Sequence, residues 1–172
     1  MVPVLQNQGE ATTAGACDTI HVELHSDTAP YLLETSTNTV LQQNGTAICI
    51  FPYQTGSKYI VVKHRNAIET WSAQPINMGA VVNYDFRTSA SKAYANNQVD
   101  VSGNGTIWAM FTADLNQDQN VDLLDMPILE DDIALYMYGY SATDLNGDGN
   151  TDLLDVIYLD FGIANYVFSY HP

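Results

Sequence analysis

The sequence predicts a mainly β chain with a small α part: an antiparallel β-sandwich followed by a compact helical unit built on two loops. Three observations carry that prediction. Short runs of alternating apolar residues, punctuated by glycine and asparagine, fill the stretch from Cys17 to about Phe111 without helical periodicity. One twelve-residue acidic segment is written twice, at 114–125 and 144–155, thirty residues apart. Beyond each copy, Leu129/Leu159, Ile133/Ile163, Ala134/Ala164, Tyr136/Tyr166 and Tyr140/Tyr170 recur at helical spacing, so each loop should feed a helix whose apolar stripe meets its twin.

Taken in order, residues 1–16 are rich in Gln, Gly, Ala and Thr and read as a loose N-terminal extension. Residues 19–26 alternate cleanly, directing Ile20, Val22 and Leu24 to a core and His21, Glu23 and His25 to solvent. Further strands are expected at 39–42, 47–51, 59–63, 80–86 and 106–111. Turns at Asn44-Gly45, Gly56-Ser57, Gly79 and Gly103-Asn104-Gly105 separate them. Strands so spaced, without intervening helices, indicate an antiparallel sandwich over 17–111. The helical unit occupies 112–172. Asp122 and Asp152 are placed to cap its helices, with Asp125 and Asp155 three residues on, near the positive helix end. Pro127 and Gly162 are expected to shorten or kink them.

The duplicated segments carry the chemistry. Oxygen side chains fall at loop positions 1, 3, 5, 9 and 12, and the residue at position 7 offers its carbonyl. That is the spacing with which a twelve-residue EF-hand-type loop surrounds a hard cation needing six to eight oxygens. Asp114, Asn116, Asp118, Asn120, Asp122 and Asp125 would form one cage, and Asp144, Asn146, Asp148, Asn150, Asp152 and Asp155 the other. Two Ca2+ ions are the expected cofactors; Mg2+, which keeps its waters, suits a dense all-protein cage poorly. Gly149 stands at position 6 of the second loop, where the backbone turns sharply, and the first loop has Gln119 there. The second loop should therefore be the tighter site.

Charge agrees with this division. Net charge is −15; no Lys or Arg follows Lys92, and thirteen of the twenty acids lie beyond it. Nucleic acid and anionic membranes are poor partners for such a surface. No apolar run is long enough to span a bilayer, and no signal peptide is visible. Cys17 and Cys49 are either buried thiols or a disulfide; their positions beside two predicted strands favour the disulfide, which fits an oxidising compartment. His21 and His25 lack a third metal ligand, and Lys63-His64-Arg65 reads as a strand end paired with nearby acids. The sequons Asn44-Gly45-Thr46 and Asn104-Gly105-Thr106 fall in turns. Catalytic motifs are missing: there is no Gly-x-Ser-x-Gly elbow, phosphate loop, His-Glu-x-x-His helix or Cys-His pair, so the chain is not expected to be an enzyme.

The repeat, with its Asp-x-Asn-x-Asp-Gly start and Asp at position 12, resembles the type I dockerin pattern. The segments Leu41-Gln-Gln-Asn-Gly-Thr46, Tyr59-Ile-Val-Val-Lys-His-Arg-Asn66 and Glu69-Thr-Trp-Ser-Ala73 resemble a module of large secreted bacterial surface or adhesin-like proteins. There a transthyretin-like or CnaB-like sandwich precedes a dockerin-like calcium repeat. The resemblance implies an extracellular or cell-surface location and ligation by the twelve loop residues named above. Two features depart from it. Dockerins carry polar residues at loop positions 10 and 11, on the face that meets cohesin, whereas this chain has Leu123-Leu124 and Leu153-Leu154. That argues for packing against the chain's own sandwich or another apolar surface. Such modules also start with a further apolar strand, and its lack would leave an open sheet edge for a neighbouring subunit to fill.

The expected function is a calcium-binding structural or adhesive module, a subunit or terminal segment of a surface fibre that self-associates. The alternative is a binding module that docks a cohesin-like receptor or a glycan, for which the tyrosines of the last forty residues are suited.

Overall fold

The computed structural model describes every residue except Met1 and Thr12. The chain is β-rich, with antiparallel sheets and a few helices. The main sheet is built from β1 (Ala16–Ser26), β2 (Leu33–Gln42), β3 (Ser57–His64), β4 (Ala67–Trp71) and β5 (Ile76–Asn77). Its order is β2-β1-β3-β4, with β5 pairing to β3. The register sets Val22 opposite both Thr37 and Val62. Ile20, Val22 and Leu24 are buried, as their alternation predicts. A two-stranded ribbon pairs β6 (Val99–Asp100) with β7 (Trp108–Ala109).

Three expected strands are reduced or missing, two of them because local bonds capture the backbone. In 80–86, the Tyr84 hydroxyl donates to the Lys92 carbonyl at 2.5 Å and Asp85 caps a 3₁₀ turn at Phe86–Thr88, so no ladder forms. In 106–111, Ser102 Oγ accepts from the N–H groups of Thr106 and Ile107, leaving only Trp108–Ala109 to pair. Residues 47–51 lie outside every ladder, although inward and outward residues alternate along them. β4 escaped sequence reading because all five of its residues are buried, so its pattern does not alternate.

The Cys17–Cys49 disulfide is not formed; both thiols are free. Gln42 N–H donates to the Thr46 carbonyl and Thr39 Oγ1 to the Ile48 carbonyl, each at 2.8 Å. These bonds place the Cys49 segment beside β2, on the side away from β1 and Cys17.

The N-terminal extension is docked. Helix α1 (Val4–Asn7) buries Val4 and Leu5, and the Gly15 N–H donates to Gln6 Oε1 at 2.7 Å. The last third holds α2 (Met126–Ala134) and α3 (Leu153–Ala164). Pro127 sits in the first turn of α2, where its missing N–H has no helical partner to lose. Gly162 does not end α3; the helix runs through it. One apolar core joins Leu115, Val121, Leu129, Leu159 and Val167 to Ile68 of β4. A polar hub ties the same regions. The buried Asp18 carboxylate of β1 meets Arg65 Nη2 at 3.0 Å and His64 Nε2 at 2.9 Å, and accepts from the Tyr140 hydroxyl at 2.5 Å. Arg65 also lies 4.6 Å from the Tyr140 ring centroid, and Asn66 Nδ2 donates to the Ala142 carbonyl. Among the described residues no helix is long and apolar enough to cross a membrane.

Candidate functional site

The two acidic loops fold alike because their side chains bind their own backbone in the same order. Asp114 Oδ1 accepts from Asp118 N–H and Oδ2 from Gln119 N–H, at 3.1 and 3.2 Å. Asp144 likewise accepts from Asp148 and Gly149 N–H, at 3.1 and 2.9 Å, and gains Gly147 N–H. Across each loop, Asp125 Oδ1 takes the N–H groups of Leu115 and Asn116, and Asp155 Oδ1 those of Leu145 and Asn146. Their Oδ2 atoms accept from Asp122 and Asp152 N–H, both at 2.9 Å. The twelfth residue thus folds back on the start and the ninth position of its loop.

A reciprocal ladder joins the loops to the opposite helix ends. Val121 N–H donates to Val167 O and Ser169 N–H to Gln119 O; thirty residues away, Thr151 N–H donates to Met137 O and Gly139 N–H to Gly149 O. In antiparallel pairing, neighbouring residues point their backbone groups to opposite sides. The carbonyls of Asn120 and Asn150, at position 7, therefore point away from the ladder, and no hydrogen bond among the described residues ends on them.

Burial and charge set the chemistry. Asp114 and Asp144 are each 2% exposed, and Asp125 and Asp155 fully buried. Among the described residues no ion pair reaches any loop acid. Burial, together with the neighbouring Asp125 and Asp118, pushes the Asp114 carboxyl up to about 6 against the N–H bonds that oppose it. Burial raises Asp144 likewise, with Asp155 and Asp148 adding to it. At Asp118, burial is outweighed by the Asn120 N–H and the Asn116 and Asn120 amides, so its pKa falls; Asp148 falls through the Asn150 N–H.

Each loop thus brings together its residues at positions 1, 3, 5 and 12, with the position 7 carbonyl free. The ninth residues turn toward the helices: Asp122 and Asp152 accept from Leu124 and Leu154 N–H, both at 2.7 Å. Asp152 and Asp155 form a full capping box on α3. Among the described residues, no three His, Cys, Asp or Glu side chains stand together as a metal cage by themselves. A cage here would need the asparagine and main-chain oxygens as well. The donor set is all oxygen, without thiolate or imidazole, and suits a hard cation of high coordination number rather than zinc.

The loops differ where expected and at one place more. Gln119 has φ +74°, matching Gly149 at +89°; Gln117 has φ +59°, matching Gly147 at +79°. The second loop's glycines also admit the N-terminal segment. A Cβ on Gly149 would stand 2.2 Å from Gln8 Nε2, and one on Gly147 3.1 Å from Val4 Cγ2.

A third half-loop escaped sequence reading. Asp100 Oδ1 accepts from Gly103 N–H and Oδ2 from Gly105 N–H, at 3.1 and 2.7 Å. Asp144 makes the same two bonds, to residues three and five positions on. Trp108 and Phe111 occupy the places of the ninth and twelfth ligands, so nothing folds back to close this loop. The spacing Asp100-x-Ser102-x-Asn104-Gly105 was its available signal.

Elsewhere, His21 and His25 are not simple solvent-facing histidines: their Nε2 atoms meet the buried Glu23 at 3.3 and 2.8 Å, and Lys63 bridges Glu23 and Glu69 at 3.2 Å each. The leucine pairs are largely exposed: Leu123, Leu124, Leu153 and Leu154 are 70%, 66%, 74% and 58% exposed. The expectation that they pack on the chain's own sheet is not met: Leu153 and Leu154 open α3 just after its cap Asp152, whereas Leu123 and Leu124 lie in the turn before α2, whose N-cap position is Asp125 and not the expected Asp122. No protein-family model, no curated protein and no solved structure matches this chain.

Proposed function

We propose that this chain is a calcium-binding extracellular structural module that self-associates, with a dockerin-like pair of loops behind a sandwich-like β body and no enzymatic activity. One observation carries the reading: four buried carboxylates, Asp114, Asp125, Asp144 and Asp155, have backbone N–H partners but no basic side chain. Buried anions without a counter-charge are costly, and like-charged neighbours add to the cost. A bound divalent cation in each loop supplies the missing positive charge. Asp114, Asn116, Asp118 and Asp125 would hold one, with the Asn120 carbonyl; Asp144, Asn146, Asp148 and Asp155 the other, with the Asn150 carbonyl. Asp122 and Asp152 would serve from the ninth position, Asp152 while also capping α3. Free ion at a hundredfold excess over its dissociation constant stabilises a protein by about 2.7 kcal/mol per site.

The exposed Leu123-Leu124 and Leu153-Leu154 pairs favour a second reading, in which the helical unit docks a receptor, for they form two equivalent apolar patches related by the repeat.

Calorimetric titration and native mass spectrometry test the metal reading. Two calcium ions per chain are expected. Asp144→Ala should remove one, Asp100→Ala none, and excess EGTA should lower the helical circular-dichroism signal. A protein that takes up no calcium, with helicity indifferent to chelation, would overturn it.

A further inference from the structure

We infer that residues 46–51 form the edge through which two copies of this chain pair, antiparallel, about Cys49; this rests on the self-association proposed above. The segment is tied to β2 through the Thr46 and Ile48 carbonyls, yet the main-chain N–H groups of Ala47, Ile48, Cys49, Ile50 and Phe51 make no hydrogen bond among the described residues. Its side chains alternate. Ala47, Cys49 and Phe51 are half-buried, while Ile48 and Ile50 are 82% and 80% exposed. An unladdered run of β-branched residues is a template for strand addition, and natural edges of this kind are normally blocked by charge or a bulge. Within the run itself there is no charge, for from Thr35 to Ser57 the sequence contains no Asp, Glu, Lys, Arg or His; Pro52 and the Arg87 side chain on the Asn44 carbonyl bound it at its two ends.

That neutrality selects a second copy as the occupant. The chain carries −15 overall, with its acids concentrated beyond Lys92, so copies repel wherever those faces meet. The 35–57 stretch is the longest part of the sequence that brings no like charge to a twin. The segment is also self-complementary. Antiparallel pairing about Cys49 sets Ile48 against Ile50 of the second copy, and the small Ala47 against the large Phe51. Cys49 then faces its own twin at the Cα separation of about 4.5–5.5 Å found in antiparallel pairs, within disulfide range. Cys17, buried within β1, has no such access.

The test uses the full chain with calcium, by sedimentation over a wide concentration range, with calorimetry reporting metal binding separately. Wild type should associate, and Ile48→Lys and Ile50→Lys should each weaken association by about an order of magnitude while binding calcium normally. Oxidation by copper-phenanthroline, which removes two electrons and two protons from the paired thiols, should crosslink wild type through Cys49, and Cys49→Ser should abolish the crosslink. Association that persists undiminished in both lysine variants would overturn this interface while leaving self-association standing. A wild type that stays monomeric throughout would overturn both, whatever its calcium binding.

Discussion

Replacing Gly162 by alanine sets two known effects against each other. Gly162 lies inside α3, where alanine is intrinsically favoured by about 1 kcal/mol. Its Cβ, however, would stand 2.4 Å from Val121 Cγ1 and 3.0 Å from Val121 Cβ. Val121 has little freedom to yield. It is 2% exposed, its N–H is held by the Val167 carbonyl at 2.9 Å, and a β-branched side chain is stiff at χ1. Overpacking of this kind costs about 1–3 kcal/mol, so the net expectation is a loss of about 1 kcal/mol despite the better helix former. For a chain of this size that lowers Tm by about 2–4 °C. Thermal and urea unfolding of the calcium-loaded protein measure it. Val121→Ala removes both γ-methyl groups, so the double variant should lose less than the sum of the singles by at least about 1 kcal/mol in a double-mutant cycle. A Gly162→Ala protein as stable as wild type, or strict additivity in the cycle, would refute the close packing of α3 on the first loop.

Two further outcomes follow from other contacts. Burial alone would raise the Asp18 carboxyl, but His64, Tyr140 and Arg65 together hold it well below the usual carboxylate range. Its stabilisation is therefore full above the unfolded pKa of about 4 and is lost as pH falls below it. Wild type minus Asp18→Asn stability, from urea unfolding in EGTA, should shrink between neutral pH and pH ~3; a constant difference would rule out the hub. Gln119→Gly relieves a side-chain-bearing residue at φ +74°, a strain of about 1–2 kcal/mol, less the glycine entropy cost of about 0.5–1 kcal/mol. Calorimetry should then show the first loop binding calcium up to about ten-fold more tightly, and weaker binding would contradict the strain argument.

What could be read from the sequence was whatever the local chain determines by itself. The acidic loops were legible because their bonds run between residues within one twelve-residue segment, as the Asp114 to Gln119 and Asp144 to Gly149 contacts do. β1 and β3 were legible because apolar residues alternate along the buried face of each, Ile20, Val22 and Leu24 in one and Tyr59 and Val61 in the other. β4 was missed because both of its faces are covered, and the stretch 80–86 was misread because Asp85 caps a turn two residues on and Tyr84 reaches the Lys92 carbonyl, which only the folded chain brings near. The Asp18 hub was illegible for the same reason: it unites Asp18, Arg65 and Tyr140 across most of the chain.

The reciprocal ladder also explains why the duplicated unit comes as a pair. The Val121–Val167 and Thr151–Met137 bonds mean that each loop is braced by the segment following the other loop's helix. A single copy would leave the backbone at 119–121 without its partner strand and Leu129 without Leu159, with which it shares the core. At the equivalent contacts the two halves use different chemistry: Gly162 packs directly on Val121, whereas Asp132 reaches Thr151 through the Thr143 hydroxyl, at 2.7 and 3.0 Å. The Asp100 half-loop lacks such a brace and lacks a twelfth-position carboxylate. It shows that the first turn of the loop forms on backbone N–H groups and the Ser102 hydroxyl, which donates to Asp100 Oδ1 at 2.6 Å, without a twelfth-position carboxylate. What sets 114–125 and 144–155 apart is the return of Asp125 and Asp155, which adds a buried negative charge beside Asp114 and Asp144 with no base to meet it.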